Sequence, residues 1–281
     1  MANPEKTNSR ALVQKVARSI TAHGRLVLTN PGTAEMANLR VETRADIAAL
    51  GSEVDLLMVF GGDGTVLSVA RALRGSATPI FGINVGGLGF LTSVQAPEVP
   101  KVLQQLWAGA YVVENRSLIE TSARSGSGMI SQVALNDFVL SRGAASRLIE
   151  LNVTVDGEIL TRYRCDGLIV SSPTGSTAYS LAAGGAVVSP AAEVFAITPI
   201  CPHTLSNRSV IVGLQSKIEV TVLSRKLEVF LTADGQEQTP LAFGDVVQIY
   251  RSRKSVRLVR LLGRSFFETL RKKLNWSGSN V

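Results

Sequence analysis

Apolar positions recur along the chain at two spacings, and the change from one to the other divides it. Leu12, Val13, Val16, Ala17 and Ile20 fall at helical spacing and predict an amphipathic helix after a polar start. Arg25 to Thr29 reads as a short strand, ended by Asn30-Pro31-Gly32. Val54 to Phe60, VDLLMVF, is a continuous apolar run, as expected of a strand buried on both faces in a parallel sheet. Glycines follow at once, then Val66, Leu67, Val69, Ala70 and Leu73 at helical spacing. Thr78 to Val85 predicts the next buried strand, and Pro97 to Ala108 a further helix. Such strand–helix alternation predicts an α/β domain over residues 1–109.

Beyond residue 110 the pattern shortens. Ile149, Leu151, Val153 and Val155 alternate at a spacing of two, and Asp156-Gly157 then supplies a hairpin turn whose two residues tolerate positive φ. Gly167 to Ser171, Ser209 to Val212, Lys217 to Leu223 and Lys226 to Thr232 read as further short strands, and Gly126 to Gly128 as a hairpin tip. Residues 110–245 are therefore expected to form a β-rich second domain. In the last segment, residues 246–281, Phe266, Phe267, Leu270 and Leu274 restore helical spacing, and this segment is expected to return to the first domain. The fold class that follows is an α/β N-terminal domain plus a β-rich C-terminal domain.

Composition narrows the function. With 281 residues, 45% hydrophobic and 18% charged, the chain can bury two cores without staples. Its formal charge of +7 suits nucleic acid, an anionic surface or small polyanions such as nucleotides. Aromatic residues are only 5%, and no RNA-binding aromatic motif occurs, so no nucleic-acid partner is expected. The crowding of Arg251, Arg253, Lys254, Arg257, Arg260, Arg264, Arg271, Lys272 and Lys273 reads as a solvated basic face. Cys165 and Cys201 lack metal-ligand spacing and read as two small core residues, and no metal-ligating set is assigned. The apolar stretch Ala182 to Ile200 is broken by Gly184, Gly185, Pro190, Glu193 and Pro199, so no membrane span is expected. The start of the sequence is polar, without a signal-peptide pattern, and the expected location is cytoplasmic.

The candidate chemistry sits at Gly61-Gly62-Asp63-Gly64-Thr65, between a buried strand and a helix, where open α/β sheets bind ligands. Glycines at 61, 62 and 64 let the backbone approach a phosphate, and the helix N-terminus favours an anion, with Thr65 as a candidate cap. Asp63 repels phosphates unless it has another task. It can accept a proton from a hydroxyl nucleophile, help hold a phosphate-bridging metal, or merely cap the helix. Gly-Gly-Asp-Gly loops also occur in phosphofructokinases and lipid kinases, so this loop says kinase better than it says which one. The P-loop pattern is absent. Ser172 to Tyr179 offers hydroxyls and N–H groups to a polar ligand, and Tyr179 a ring for stacking. Asn136, Asp137 and Asp166 can hydrogen-bond ribose hydroxyls or an exocyclic amine, and Arg147 and Arg164 can fork onto a diphosphate. Each has a blander alternative: a turn cap for Asn136, core packing for Tyr179, a solvated strand position for Arg147.

Asp166 to Pro190, DGLIVSSPTGSTAYSLAAGGAVVSP, resembles the long signature of the NAD kinase family, in its bacterial ATP- or polyphosphate-dependent branch. Leu135-Asn136-Asp137, Phe81 to Thr92 (FGINVGGLGFLT) and Pro199 to Ser206 (PICPHTLS) agree with it in order and spacing, and the likeness runs from Leu12 to Asp245. The resemblance implies phosphorylation of the 2′-hydroxyl of the adenosine ribose of NAD, with ATP or polyphosphate as donor and Mg²⁺ or another divalent metal accompanying ATP. It implies Asp63 as proton acceptor and Gly64 beside it in the substrate site. It implies NAD contacts at Asn136, Asp137, Arg147, Arg164, Asp166, the run Thr177, Ala178, Tyr179, Ser180, Leu181 and Ala182, and Gln236, with His203 near the substrate. It further implies a site between the domains and a homo-oligomer, tetramer or dimer. Family members open with an apolar strand that runs into a loop before the first helix. Here Met1-Ala2-Asn3-Pro4 stands where that loop falls, so the strand is expected to be missing or a stub. Two rivals remain: a lipid or sugar kinase sharing the glycine loop, and a catalytically silent NAD(P)-binding sensor.

Overall fold

The computed structural model describes residues 1–2, 9–73, 75–92, 94–125, 128–144, 147–204 and 208–276. It divides into two compact units, Met1–Asn115 with Val256–Val281, and Arg116–Ser255.

The first unit opens with α1 (Arg10–Ala22), β1 (Leu28–Thr29), α2 (Pro31–Ala37), β2 (Glu42–Thr43) and α3 (Ile47–Ser52). It continues with β3 (Leu57–Gly61), α4 (Asp63–Ala72), β4 (Ile80–Asn84), β5 (Val94–Gln95), a 3-10 turn at Ala96–Glu98, and α5 (Val99–Trp107). The strand β6 (Tyr111–Ser125) leads out. The second unit contains β7 (Gly128–Ala134), β8 (Asp137–Arg142), β9 (Ile149–Val155), β10 (Glu158–Cys165) and β11 (Gly167–Ser171). After a 3-10 turn at Gly175–Thr177 come α6 (Tyr179–Ala182), β12 (Val194–Ile200), β13 (Val210–Gly213), β14 (Ile218–Val222), β15 (Val229–Ala233) and β16 (Glu237–Leu241). The long strand β17 (Val246–Leu261) returns to the first unit, which ends in α7 (Phe266–Leu274).

In the first unit β3 and β4 pair in parallel from Leu57↔Ile80 to Gly61↔Asn84. β4 also pairs in parallel with β5 and, at Leu258, with β17. All five residues of β4 are buried, as an interior parallel strand requires. Phe60, Phe81, Ile83, Val102, Leu106 and Leu261 belong to one core cluster, sealed by Val13 and Val16 of α1. Asn30-Pro31-Gly32 does not simply end a strand. Asn30 is the N-cap of α2 with Pro31 at its first position, where a missing N–H costs nothing. The chain start is a strand stub: Ala2 forms one parallel bridge to Phe60, and the Met1 amine donates to the Met58 carbonyl at 2.7 Å.

In the second unit one antiparallel sheet has the order β13-β12-β11-β8-β15-β16, and a second includes β10-β9-β14-β17. Phe138, Leu140, Val170, Phe195, Leu151, Val220 and Ile249, drawn from both sheets, share one core cluster, so the sheets pack face to face. β9 alternates buried and half-buried positions, whereas β11, an interior strand, is buried throughout. The turn from β9 to β10 has φ of 52° at Asp156 and 87° at Gly157, both positive, as a two-residue hairpin favours. The hairpin tip expected at Gly126 to Gly128 lies in part, at Gly126 and Ser127, outside the described residues.

The boundary between the units falls at residues 115/116 and 255/256, inside β6 and β17, and not at 109/110 and 245/246 where the pattern changes. Two strands pass through it unbroken, so no turn marks it. Cys165 is buried and Cys201 exposed. The pair is therefore not a pair of core residues: Cys165 is the buried last residue of the largely exposed edge strand β10, while Cys201 follows β12 with a φ of 45°. Several of the C-terminal cations are paired, Arg251 with Glu193, Arg260 with Glu114, Arg264 with Glu98 and Lys272 with Glu268. Among the described residues no helix is long and apolar enough to cross a membrane.

Candidate active site

Asp63 is the first residue of α4, directly after β3. Its carboxylate does not cap its own helix. Oδ2 accepts the Phe90 N–H at 2.8 Å, and Oδ1 accepts the N–H groups of Leu91 and Thr92 at 3.0 and 3.2 Å and the Thr92 hydroxyl at 3.0 Å. A carboxylate held by four donors is fixed in both position and rotamer. Thr65 is not the cap either. Gly62 occupies that position, so the carbonyl of Gly62 accepts from Thr65 and Val66, and the Thr65 side chain packs on Gly61, where a Cβ would meet its Oγ1 at 2.3 Å. Gly64 is exposed, and Gly61 and Gly62 are respectively buried and half-buried.

The segment that grips Asp63 is built on β4. A Cβ on Gly82 would lie 2.6 Å from the Leu91 carbonyl, so a glycine there lets Leu91 rest on the strand. The Asn84 side chain donates to the Gly87 carbonyl and the Thr92 hydroxyl at 2.6 and 2.8 Å and accepts from Gly86 at 2.6 Å. A Cβ on Gly89 would stand 2.0 Å from Oδ1 of Asp63. No local pattern by itself marks Asn84, Gly89 and Thr92 as site residues, although they lie in a stretch that carries the family likeness. An asparagine ending a buried strand and a glycine-rich turn were the available signals.

In the second unit Asn136 and Asp137 lie where β7 turns into β8, and both are buried. Asp234, on a turn with φ of 49°, organises that turn: it accepts the N–H groups of Leu135, Asn136 and Asp137 at 2.9, 2.7 and 3.3 Å. Burial first, and the neighbouring Asp234 charge second, push the Asp137 carboxyl up to about 7. Gly175 presses on the same turn, and a Cβ there would lie 2.2 Å from the Asn136 carbonyl oxygen.

The hydroxyls of Ser172 to Tyr179 turn inward more than their composition suggests. Ser172 donates to the Leu135 carbonyl at 2.5 Å, Ser176 to Pro173 at 2.8 Å and Thr177 to Thr174 at 3.2 Å. Ser180 is fully buried with its hydroxyl 3.0 Å from that of Thr198. These groups build the loop. Tyr179, 48% exposed, is the side chain of this run that reaches solvent, with Ala182 also exposed and Thr177, Ala178 and Leu181 half-buried. Arg147, Arg164, His203 and Gln236 are exposed as well. Asp166 pairs with Arg142, whose Nε lies 2.6 Å from Oδ1, a partner the sequence reading missed. The structure thus brings Asn136, Asp137 and Asp234 together at one turn and Arg142 with Asp166 at another, and leaves Arg147 solvent-facing. Among the described residues no three or more His, Cys, Asp or Glu side chains lie together as a metal cage.

The first unit thus fixes a carboxylate at a glycine loop at the end of a parallel strand, and the second carries a buried Asn-Asp turn on a β-sandwich. Residues 1–111 match the ATP-NAD kinase N-terminal domain model and residues 135–261 the ATP-NAD kinase C-terminal domain model. A protein of Symbiobacterium thermophilum named NAD kinase is 40% identical over 97% of this chain and 96% of its own length. The yeast NADH kinase solved with NADH superposes with a TM-score of 0.91 at 28% identity, over 100% of this chain and 88% of that one. The NAD kinase from Archaeoglobus fulgidus solved with ATP gives a TM-score of 0.76 at 27% identity, covering 95% of each chain. The fold and the glycine loop with its carboxylate define a phosphotransferase. The chain belongs to the NAD kinase family.

Proposed function

We propose that the protein transfers the terminal phosphoryl group of ATP to the 2′-hydroxyl of the adenosine ribose of NAD, giving NADP and ADP. The observation that carries the proposal is the placement of Asp63. A carboxylate fixed at the start of α4, at the carboxyl end of β3, lies where an open α/β sheet presents catalytic groups. The ribose 2′-oxygen attacks the terminal phosphorus, the bond to the bridging oxygen breaks, and ADP leaves. The hydroxyl proton passes to Oδ2 of Asp63, which accepts a single N–H, from Phe90, and retains acceptor capacity. Positioning and charge neutralisation supply most of the acceleration, as in phosphoryl transfer generally. Mg²⁺ enters as the ATP complex.

In the second unit, the proposal gives the dinucleotide to Asn136 and Asp137, to Tyr179 and the run around it, to Arg147, Arg164 and Asp166, and to Gln236. Support comes from the buried Asn136–Asp137 turn and from the exposed Tyr179 ring. The proposal also includes polyphosphate as an alternative donor, a cytoplasmic location, and a homo-oligomer.

The test is incubation of purified protein with NAD, ATP and Mg²⁺, with NADP detected by a dehydrogenase that requires it. A dinucleotide carrying 2′-deoxyadenosine should bind and give no product. Phosphorylation of that analogue at a comparable rate would mean that a different hydroxyl reacts. Binding of NAD without turnover would favour the silent sensor, and transfer to diacylglycerol, sphingosine or fructose 6-phosphate the other kinases.

A further inference from the structure

We infer that the C-terminal helix α7 positions Asp63, acting through Phe90. The inference rests on Asp63 being the proton acceptor. The Phe90 N–H donates to Oδ2 of Asp63, the oxygen assigned the proton, at 2.8 Å. The ring of the same residue lies against α7: its centroid is 6.1 Å from that of Phe266, and the Lys273 ammonium stands 4.7 Å from it. Phe266 and Lys273 are two turns apart on one helix and so clasp Phe90 from the same face. Phe267 braces Phe266 edge-on at 5.5 Å.

Such a clasp matters because the segment before Phe90 is Gly86-Gly87-Leu88-Gly89. Gly89 is needed there, since a Cβ on it would strike Asp63, yet the glycines leave the backbone many conformations. The bonds from Asn84 fix the start of the segment and Thr92 its end. Phe90 lies between, and an anchored ring restricts its backbone where the donor to Oδ2 sits.

The helix itself is firmly seated. Ser265 caps it by accepting the Glu268 N–H at 3.1 Å, and Leu270 is buried beneath it. Arg264, just before the cap, pairs with Glu98, and the Arg260 guanidinium donates to the Arg264 carbonyl. Phe266 and Lys273 are therefore positioning residues, and the cost of losing them falls on the alignment of Asp63 and not on substrate affinity.

The experiment compares the full-length chain with Phe266→Ala, Lys273→Ala and Phe266→Tyr. Hydrogen exchange at Phe90, Leu91 and Thr92 is read alongside kcat and KM for NAD and ATP. Removing an aromatic pair or a cation–π contact of this kind is worth roughly 2- to 10-fold. In Phe266→Ala, protection of the three amides and kcat should fall together by about that factor, with KM unchanged. Lys273→Ala should act in the same direction, and Phe266→Tyr should restore both. Unchanged protection at Phe90 to Thr92 in Phe266→Ala overturns the inference. So does a loss of protection spread evenly over the first unit, or a change in KM with kcat intact. Should Asp63→Asn itself prove fully active, the assignment of the base fails, while the exchange data still report whether α7 holds the segment.

Discussion

The Thr92 hydroxyl and the Thr92 N–H both donate to Oδ1 of Asp63, at 3.0 and 3.2 Å, so one residue of the facing segment fixes one oxygen of the carboxylate twice. An amide cannot accept on both sides. In Asp63→Asn, one set of N–H donors, from Phe90 or from Leu91 and Thr92, must face an NH₂ group. The variant should fold and bind NAD, with turnover lowered by about 10²–10⁴-fold, the usual worth of a positioned base. Steady-state kinetics with a fluorescence titration of NAD checks this, and near wild-type turnover would remove Asp63 from its role.

Gly89→Ala tests the same contact from the other side. The added methyl would begin 2.0 Å from Oδ1 of Asp63 and 2.3 Å from the Thr92 hydroxyl. The segment must move away, taking its N–H groups with it. Turnover should fall at least as far as roughly 10²-fold while the thermal transition moves by only a few degrees. Equal activity in wild type and variant would show that the grip on Asp63 is dispensable.

The pH dependence of stability should bear the mark of Asp137. Its carboxyl is raised from 3.8 to about 7 in the folded state, chiefly by burial. The fold therefore prefers the protonated form. The penalty is absent below about 3.8, grows as pH rises, and is complete above about 7. Asp137→Asn carries no charge and escapes it. Urea unfolding should show the variant gaining on wild type between pH 4 and pH 7, by at most roughly 4 kcal/mol, and holding that advantage at pH 8. A stability difference that is flat across this range would contradict the burial of an ionisable group there. NAD binding by the variant should weaken.

Gly175→Ala should damage the fold of the second unit. Its Cβ would lie 2.2 Å from the carbonyl oxygen and 2.6 Å from the Cα of Asn136. Those are backbone atoms in a buried turn and cannot swing aside. A loss of about 2–4 kcal/mol is expected, read as a lower urea midpoint. An unshifted midpoint would mean the turn has slack.

Assembly can be tested by mixing. If the sites of a homo-oligomer draw on two chains, an Asp63→Asn chain and an Asp166→Asn chain should together recover part of the activity that each lacks. Inactive chains that demonstrably exchange subunits yet never complement would show each site to be built from one chain, and a fully active monomer by sedimentation would exclude the oligomer.

Much of the fold is legible in residue spacing, because burial on one face leaves a period. Gly167 to Ser171, Lys217 to Leu223 and the positive-φ pair Asp156-Gly157 show where strands and a turn fall. β17 is harder to see. Arg251, Arg253, Lys254, Arg257 and Arg260 stud it, so the segment looks like a solvated face, yet Arg251 and Arg260 pair with glutamates and Arg257 donates to the Ala77 carbonyl. The candidate site divides in the same way. Asp63 and Asn136-Asp137 stand in recognisable runs, as do Thr92, which holds Asp63, and Asn84, which holds Thr92, but the meeting of the Asp63 and Thr92 segments, and of Asp234 with the Asn136 turn, depends on contacts across long stretches of chain. The hydroxyls of Ser172 and Ser176 look like ligand groups by composition, and the structure turns them onto backbone carbonyls.

The unequal placement of the two cysteines makes the molecule selectively addressable. Cys165 is buried, with its thiol pushed up to about 12 by desolvation, whereas Cys201 is exposed. Because the chain has only these two cysteines, a maleimide dye added to the native protein should attach at one defined point. That point follows Ile200, whose carbonyl accepts the Asp166 N–H at 3.0 Å. A fluorophore there would sit beside a proposed dinucleotide contact and could follow the arrival of NAD in real time, in a protein that needs no engineered label site and no turnover to be observed.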